Sequence, residues 1–238
     1  MRKHSSLPNL FEIPFLIIEL VWAVIPFKQI QQAKQRLAPI LSSEERKFLS
    51  LNMLEDVLEA ATASEVFDGV LVATNCEEAA PIIRRKGVLH LQTSEELGLN
   101  HAAGEASNWL LNKHIGAMCL FPADIPLAKA SEFRYIVCGH SVHLGMTIVP
   151  SLDKGGTNCL VLSPPNLLPF CFGADSYAKH LKQGLKLNLS CRTKFSDGIG
   201  LDIDTPNDLR AISMRPKQTL TQNYLEKIEI HSRLNQLF

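Results

Sequence analysis

The sequence lacks an excess of charge of either sign, a long apolar run and paired cysteines. Lys plus Arg and Asp plus Glu number 24 each, so no overall basic field indicates a nucleic-acid partner. No apolar segment is long enough to cross a bilayer, so we expect no membrane partner. Six cysteines are scattered without a Cys-x-x-Cys pair, which favours reduced core thiols in a cytoplasmic protein.

Motifs of several large enzyme classes are also missing. The absence of a Walker-type glycine-lysine loop and of Gly-x-Gly-x-x-Gly argues against a P-loop enzyme and a dinucleotide dehydrogenase. The absence of Gly-x-Ser-x-Gly removes support for hydrolase chemistry. His140 and His143 have a spacing that suits a metal, but no third partner stands beside them, which favours a surface pair.

What remains is the composition of a globular domain. With 238 residues, 46% hydrophobic and 20% charged, the chain fits one α/β domain. Its basic start and the apolar stretch after it resemble a signal peptide superficially, but Glu12, Pro14 and Glu19 interrupt the stretch. We therefore interpret residues 1–20 as an extension, 21–213 as the domain and 214–238 as a helical tail.

Apolar runs typical of buried strands alternate with helical patterns along the chain. The strand-like runs are Trp22 to Ile25, Gly69 to Ala73, Gly87 to Leu91, Ala117 to Phe121, Met146 to Val149 and Cys159 to Leu162. Helices are expected from Ser42 or Ser43 onward, at about 76–86, 100–113, 129–138 and 174–184, and from Pro206 with Thr205 as N-cap. This alternation predicts an α/β fold with a mostly parallel sheet flanked by helices, whose ligands bind beyond the carboxyl ends of the strands.

A basic loop follows the first strand-like run. It contains Lys28, Lys34 and Arg36, three cations within nine positions. Lysine offers a point charge and arginine a bidentate fork to phosphate oxygens, so the loop suits the polyphosphate of a nucleotide. A solvated basic loop is the alternative.

Aspartates stand at two other expected strand ends. Asp124 lies between two prolines after the fourth run, where it is either a positioned metal ligand or a turn former. Asp202 and Asp204 are two residues apart, so at a strand end both carboxylates project to one face and reach a hard cation such as magnesium. The alternative is that Asp204 merely precedes the helix start at Thr205.

Two glycine-bearing loops complete the candidate binding segments. Residues 153–158 follow the fifth run, and residues 172–176 precede a helix whose first N–H groups suit an anion. Hairpin or cap geometry is the alternative for both.

Six motifs follow one another along the chain. They are Ile25-Pro26-Phe27-Lys28 with Ala33-Lys34-Gln35-Arg36-Leu37, Gly98-Leu99-Asn100-His101-Ala102, Pro122-Ala123-Asp124-Ile125-Pro126-Leu127, Gly155-Gly156-Thr157-Asn158, Phe172-Gly173-Ala174-Asp175-Ser176 and Asp202-Ile203-Asp204-Thr205-Pro206. In this order they resemble the 2-phospho-L-lactate guanylyltransferase family over about residues 21–212. Gln35, Ile125 and Cys159 stand where the family usually has serine, leucine and alanine. None of these departures removes a proposed ligand.

The resemblance implies a fold and a reaction. The fold would be a Rossmann-like nucleotidyltransferase of the nucleotide-diphospho-sugar transferase type, within the molybdopterin-guanylyltransferase-like group. The reaction would join GMP from GTP to 2-phospho-L-lactate, phosphoenolpyruvate or 3-phospho-D-glycerate with release of diphosphate, in biosynthesis of coenzyme F(420). GTP and the small acid would be the partners, and the oligomeric state stays open, a homodimer included.

The same resemblance implies roles for individual residues. Magnesium would be held by Asp124, Asp202 and Asp204. The nucleotide would be bound by Lys28, Lys34, Arg36, Gly98 and Asn100, and the acid by Thr157, Gly173 and Ser176. Catalysis would depend on Asp124 with Lys28, Lys34 and Arg36. Two rivals stay open, namely another nucleotidyltransferase of the molybdopterin-guanylyltransferase type and a nucleotide-binding module without catalysis.

Overall fold

A seven-stranded sheet organises the protein, which a computed structural model describes over residues 18–28, 34–94, 98–141 and 143–236. The strands are β1 (Ile18–Pro26), β2 (Gly69–Ala73), β3 (Leu89–Leu91), β4 (Ile115–Leu120), β5 (Gly145–Pro150), β6 (Thr157–Ser163) and β7 (Cys191–Thr193). They lie in the order β3-β2-β1-β4-β6-β5-β7, and every neighbouring pair is parallel except the two pairs that β6 makes. The predicted mostly parallel sheet is confirmed.

Helices flank this sheet. They are α1 (Ser43–Ala63), α2 (Ala80–Lys86), α3 (Gly98–Asn112), α4 (Ala130–Val137), α5 (Ser176–Lys186), α6 (Asp197–Gly200), α7 (Pro206–Ser213), α8 (Leu220–Lys227) and α9 (Ile230–Asn235), with short 3-10 helices at Gln35–Leu37 and Glu77–Ala79. The sequence patterns missed α6 and β7, because elements of four and three residues are too short to show a period.

Local hydrogen bonds set the predicted helix starts. Ser42 Oγ accepts from Glu45 N–H at 3.2 Å, and Glu45 Oε2 accepts from Ser42 N–H at 2.8 Å, which is a capping box at the start of α1. Thr205 caps α7 in the same way, with Asp208 as its partner. Both predicted N-caps are confirmed.

The alternation of side chains along β1 divides the core into two layers. Ala23 and Ile25 pack on one face with α1, α2 and α4, while Val24 packs on the other face with α3. A third apolar cluster joins α1 to α7, α8 and α9 around Leu49 and Leu234. The helices after residue 213 therefore pack against the rest of the protein, although the predicted domain boundaries stay predictions. None of the helices in the described residues is both long and apolar enough to cross a membrane.

Candidate active site

A cavity of about 830 Å³ opens where β1, β2 and β4 end. Because these strands are parallel, their carboxyl ends meet at one edge of the sheet. Residues that follow the strands or begin α3 form much of the wall, among them Phe27, Lys28, Asn75, Pro122, Asp124, Gly98 and His101, with Lys34 and Asp204 beside them. The volume lies in the range of pockets that hold small molecules and cofactors.

Lys34 joins two of the predicted carboxylates. Its Nζ lies 2.6 Å from Asp124 Oδ2 and 2.5 Å from Asp204 Oδ1, and the lysine side chain is 9% exposed. Burial by itself lowers the pKa of Lys34, but the charges and hydrogen bonds of the two aspartates outweigh burial and raise the pKa. The ammonium is therefore charged at neutral pH and offsets the repulsion between the two carboxylates.

Asp202 lies beside this cluster. Asn158 Nδ2 donates to Asp202 Oδ1 at 3.0 Å, and also to the carbonyl oxygens of Ile199 and Gly200. Burial, and after it the charge of Asp124, raises the pKa of Asp202 to about 6. A carboxylate whose charged form is disfavoured in this way is stabilised when a cation approaches.

The segment 201–204 is not the strand end that the spacing of Asp202 and Asp204 predicts. It is a connection between α6 and α7 and pairs with no strand among the described residues. Ile203 N–H donates to the Asp124 carbonyl at 2.9 Å, which ties the connection to the loop after β4. The prediction was wrong because an extended backbone places buried Leu201 and Ile203 opposite the two aspartates whether or not it forms hydrogen bonds with a neighbouring strand.

One oxygen in the cluster fits a metal ligand. Asp124 Oδ1 is buried without a hydrogen-bond partner, and a buried carboxylate oxygen in that state is costly unless a cation compensates it. Oxygen donors of this kind suit a hard divalent cation. Within the described ranges, however, no three His, Cys, Asp or Glu side chains form a ready metal site, and Lys34 lies between two of the carboxylates instead.

The three cations of the predicted phosphate loop have different surroundings. Lys28 is exposed and lines the cavity. Arg36 is exposed on the 3-10 helix Gln35–Leu37, whereas Lys34 contacts the carboxylates. Residues 29–33 of the loop lie outside the described residues. A common role of Lys28, Lys34 and Arg36 in binding a triphosphate stays a prediction.

The start of α3 reaches both the cavity and the loop before α5. Gly98 lines the cavity and has a φ of 77°, a conformation that favours glycine. Asn100 Nδ2 donates to the Phe172 carbonyl at 3.3 Å, and Asn100 Oδ1 accepts from Phe172 N–H at 2.7 Å. The Asn100 amide therefore connects α3 to the 172–176 loop, and its contact with a nucleoside stays a prediction.

The residues predicted to bind the acid lie outside the wall of this cavity. Thr157 begins β6 after a hairpin from β5, and it is adjacent in sequence to Asn158, the hydrogen-bond partner of Asp202. Gly173 has a φ of 118°, and its carbonyl accepts from the buried Ser176 N–H at 3.1 Å. A hairpin therefore precedes Thr157 and a turn precedes α5, whose N-cap Asp175 makes no side-chain capping bond, and the acid-binding role stays a prediction.

Several polar residues of the site were not predicted from the sequence. The cavity wall also includes Asn75, Thr93, Ser94 and His101. Asn75 and Thr93 follow β2 and β3 closely, so their position after a strand was a usable signal. His180 contacts Thr157 and lies on the buried face of α5 with Ser176 and Gly184, at a spacing of four that also marks this face in the sequence.

The prediction of a surface histidine pair was wrong for His140. Its Nδ1 lies 2.9 Å from Thr147 Oγ1 and its Nε2 lies 3.0 Å from Ser163 Oγ. Burial, and after it the charges of Arg192 and Lys194, lowers the pKa of His140 to about 4. The ring is therefore a neutral, partly buried link between strands β5 and β6.

Solved structures share this fold. A candidate nucleotide-diphospho-sugar transferase from Desulfovibrio desulfuricans G20 matches with a TM-score of 0.71 at 16% identity, covering 91% of this chain and 97% of that chain. A nucleotidyl transferase from Methanothermobacter thermautotroptrophicus matches with a TM-score of 0.61 at 14% identity, covering 87% and 99%. These identities are low, so the likeness concerns the fold alone. It confirms the predicted fold, that of nucleotide-diphospho-sugar transferases.

Closer relatives are found by sequence. A 2-phospho-L-lactate guanylyltransferase of Methanocaldococcus vulcanius is 35% identical over 87% of this chain and 91% of its own length. A 3-phospho-D-glycerate guanylyltransferase of Colwellia psychrerythraea is 33% identical over 80% and 90%, and a phosphoenolpyruvate guanylyltransferase of Sphaerobacter thermophilus is 31% identical over 80% and 91%. The family described as "Guanylyl transferase CofC like" matches residues 21–236. The chain therefore belongs to the CofC-like guanylyl transferase family.

Proposed function

We propose that this nucleotidyltransferase joins GMP from GTP to the phosphate of a small phosphorylated carboxylic acid and releases diphosphate. The observation that carries the proposal is the cluster of Lys34, Asp124 and Asp204, with Asp202 beside it, at the wall of a cavity of nucleotide size. The names of the relatives support the acceptor class, namely 2-phospho-L-lactate, phosphoenolpyruvate or 3-phospho-D-glycerate. The family supports a role in coenzyme F(420) biosynthesis, and six free cysteines support a cytoplasmic location.

The reaction needs alignment more than a protein nucleophile. A phosphate oxygen of the acid, already ionised at neutral pH, attacks the α-phosphorus of GTP in line. The new bond joins this oxygen to the α-phosphorus, the bond from the α-phosphorus to the bridging oxygen breaks, and diphosphate leaves with the electron pair. The protein must therefore hold two anions together and offset their charge.

Residues of this chain divide these two tasks. Lys28, Lys34 and Arg36 supply positive charge for the triphosphate, and the start of α3 with Gly98 bounds the nucleoside side of the cavity. Thr157, Gly173 and Ser176 are assigned to the acid, outside the wall of this cavity. Strand β6 contributes to both tasks, because it carries Thr157 and Asn158, and Asn158 Nδ2 donates to Asp202.

The carboxylates fit a divalent cation by their chemistry. Asp124, Asp202 and Asp204 would hold magnesium, which supplies charge neutralisation at the phosphates when bound. The buried, unpartnered Asp124 Oδ1 and the raised pKa of Asp202 support this assignment.

A matrix of nucleotides against acids tests the proposed function. The purified protein is incubated with magnesium, one nucleoside triphosphate and one of the three acids, and diphosphate release and the mass of the product are measured. We expect diphosphate and a GMP–acid adduct with GTP and at least one acid. The absence of any adduct in the whole matrix contradicts the proposal.

Carboxylate variants test the site itself. Asp124→Asn and Asp202→Asn should reduce turnover by about a hundredfold or more, because each removes charge where the phosphates react. Asp68→Asn is the matched control, because Asp68 lies outside the cavity wall and its Oδ2 accepts from Val21 N–H at 2.8 Å, in the first half of β1. Turnover near the wild-type value in either active-site variant contradicts the assignment of Asp124 and Asp202.

A further inference from the structure

A buried histidine links two segments of the proposed acid site. His180 lies on α5 and is 0% exposed. Its Nδ1 is 3.0 Å from Thr157 Oγ1 on β6, and its Nε2 accepts from Cys171 N–H at 3.2 Å. The Phe172 ring packs edge-on against the imidazole with centroids 5.0 Å apart. One side chain therefore contacts both Thr157 and the loop that leads to Gly173.

These contacts fix the tautomer of His180. A backbone N–H only donates, so Nε2 must be the unprotonated nitrogen that accepts from Cys171. Burial lowers the pKa of His180 to about 4, so the ring is neutral at physiological pH. The single ring hydrogen is then on Nδ1 and is donated to Thr157 Oγ1.

The tautomer decides what Thr157 can offer to a ligand. When Oγ1 accepts from His180, its own hydrogen is left to donate elsewhere. Among the described residues, His180 is the one side chain in hydrogen-bond contact with Thr157 Oγ1. An anionic oxygen of a substrate is the natural acceptor for such a hydroxyl.

The loop itself is held from two sides. His180 anchors the backbone at Cys171, and the Asn100 amide makes two hydrogen bonds with the backbone of Phe172, at 2.7 and 3.3 Å. Gly173 follows directly, with its φ of 118°. Among the described residues, the Asn100 side chain forms hydrogen bonds only with Phe172, and the His180 side chain only with Thr157 and Cys171.

We propose that His180 is a positioning residue for the acid substrate. It keeps the Thr157 hydroxyl directed as a donor and holds the 171–173 backbone where an acid anion binds. This inference rests on the proposed function, which assigns Thr157 and Gly173 to the acid, and it adds a residue that touches neither substrate directly.

Three substitutions separate the two hydrogen bonds of His180. His180→Phe removes both, His180→Asn keeps an amide donor near the position of Nδ1, and His180→Gln keeps an acceptor near the position of Nε2. We expect His180→Phe to raise the KM for the acid on the order of tenfold to a hundredfold, the loss typical of a hydrogen bond to a charged group. The KM for GTP should change by no more than about twofold, and His180→Asn should recover part of the acid KM.

His140→Phe is the matched control, because His140 is also a neutral histidine bonded to a threonine hydroxyl, that of Thr147. Its other partner, Ser163, ends β6, roughly 20 Å along the strand from Thr157 at about 3.3 Å per residue. This control should leave both KM values unchanged. An unchanged acid KM in His180→Phe, or equal increases in both KM values, overturns the proposal.

A measurement on the unsubstituted protein keeps the test independent of variant folding. Nitrogen-15 NMR of the histidine rings reports which nitrogen carries hydrogen, and we expect the Nδ1–H form for His180. The Nε2–H form overturns the proposal. If wild-type protein makes no adduct with any acid, the proposed function itself fails, whereas an active wild type with unaffected His180 variants refutes the positioning role alone.

Discussion

At the residue scale, the main feature of the site is a lysine ammonium that lies between two carboxylates. Lys34 Nζ contacts Asp124 and Asp204, carboxylates that are 90 and 170 residues away in sequence. The lysine proposed for the triphosphate and two carboxylates proposed for magnesium therefore meet at one atom, Lys34 Nζ. Any ligand that draws the ammonium toward a phosphate leaves both carboxylates in need of another cation.

Removing the Lys34 charge should make the unliganded protein respond to magnesium. Lys34→Met leaves two carboxylates without their counter-charge, and we expect a loss of about 1–2 kcal/mol because Asp204 is 43% exposed and solvent screens part of the repulsion. Added magnesium should then raise the Tm of Lys34→Met by more than that of wild type, since the ion replaces the ammonium.

Thermal unfolding with and without magnesium, in the absence of GTP, measures this difference. Lys28→Met is the control, because Lys28 is an exposed lysine of the same loop. Equal magnesium shifts in wild type and Lys34→Met contradict a shared position for the ammonium and the metal.

At the element scale, the start of α7 positions a site residue. Asp208 Oδ2 accepts from Thr205 N–H at 2.7 Å and from Asp204 N–H at 3.1 Å, while Thr205 Oγ1 accepts from Asp208 N–H. The cap of this helix therefore also fixes the backbone of Asp204. Capping and site geometry depend on the same few hydrogen bonds.

Two threonine caps allow this coupling to be tested. Thr205 and Thr219 both cap helices of eight residues, and each should cost about 1 kcal/mol of unfolding free energy when changed to alanine. Only Thr205→Ala should also lower kcat, because it loosens Asp204. Urea unfolding and steady-state kinetics on both variants check this, and equal kinetic effects refute it.

Elements were predictable from sequence where their signal is local. The capping boxes at Ser42 and Thr205 depend on residues three apart, so they are visible in the chain itself. The connection 201–204 was misjudged because an extended backbone shows the alternation of a strand, while the partner that makes a strand lies elsewhere in sequence.

At the scale of the whole molecule, His180, which is buried, and His140 and Asp202, which are partly buried, link stability to pH. His140 and His180 have pKa values of about 4, below the ordinary 6.5, so their stabilising effect is present above pH 6.5 and is lost as the pH falls toward 4. Asp202 has a pKa of about 6, above the ordinary 3.8, so its ionisation costs stability at neutral pH, and this cost decreases as the pH falls below 6 and is gone below 3.8.

The two histidines should outweigh the aspartate between pH 7 and pH 5. Between pH 7 and pH 5 the contribution of each histidine to the unfolding free energy falls by roughly 2 kcal/mol, and that of Asp202 rises by roughly 1 kcal/mol. The unfolding free energy should therefore fall by about 3 kcal/mol. Urea unfolding at both pH values measures the change. His140→Phe should reduce the change in unfolding free energy between pH 7 and pH 5 by about 2 kcal/mol. An unaltered change in that variant contradicts the neutral, partly buried state of His140.

The sequence by itself determined the mostly parallel α/β sheet, the caps of α1 and α7, and the positions of Lys28 and Asp124 shortly after strands. Those features follow from periodicity and from hydrogen bonds between residues a few positions apart. Only the tertiary structure decided that Lys34 neutralises Asp124 and Asp204, that Asn100 binds the Phe172 backbone and that His180 binds Thr157. These partners are 23 to 170 residues apart, and their contact depends on how the strands and helices pack, which no local pattern records.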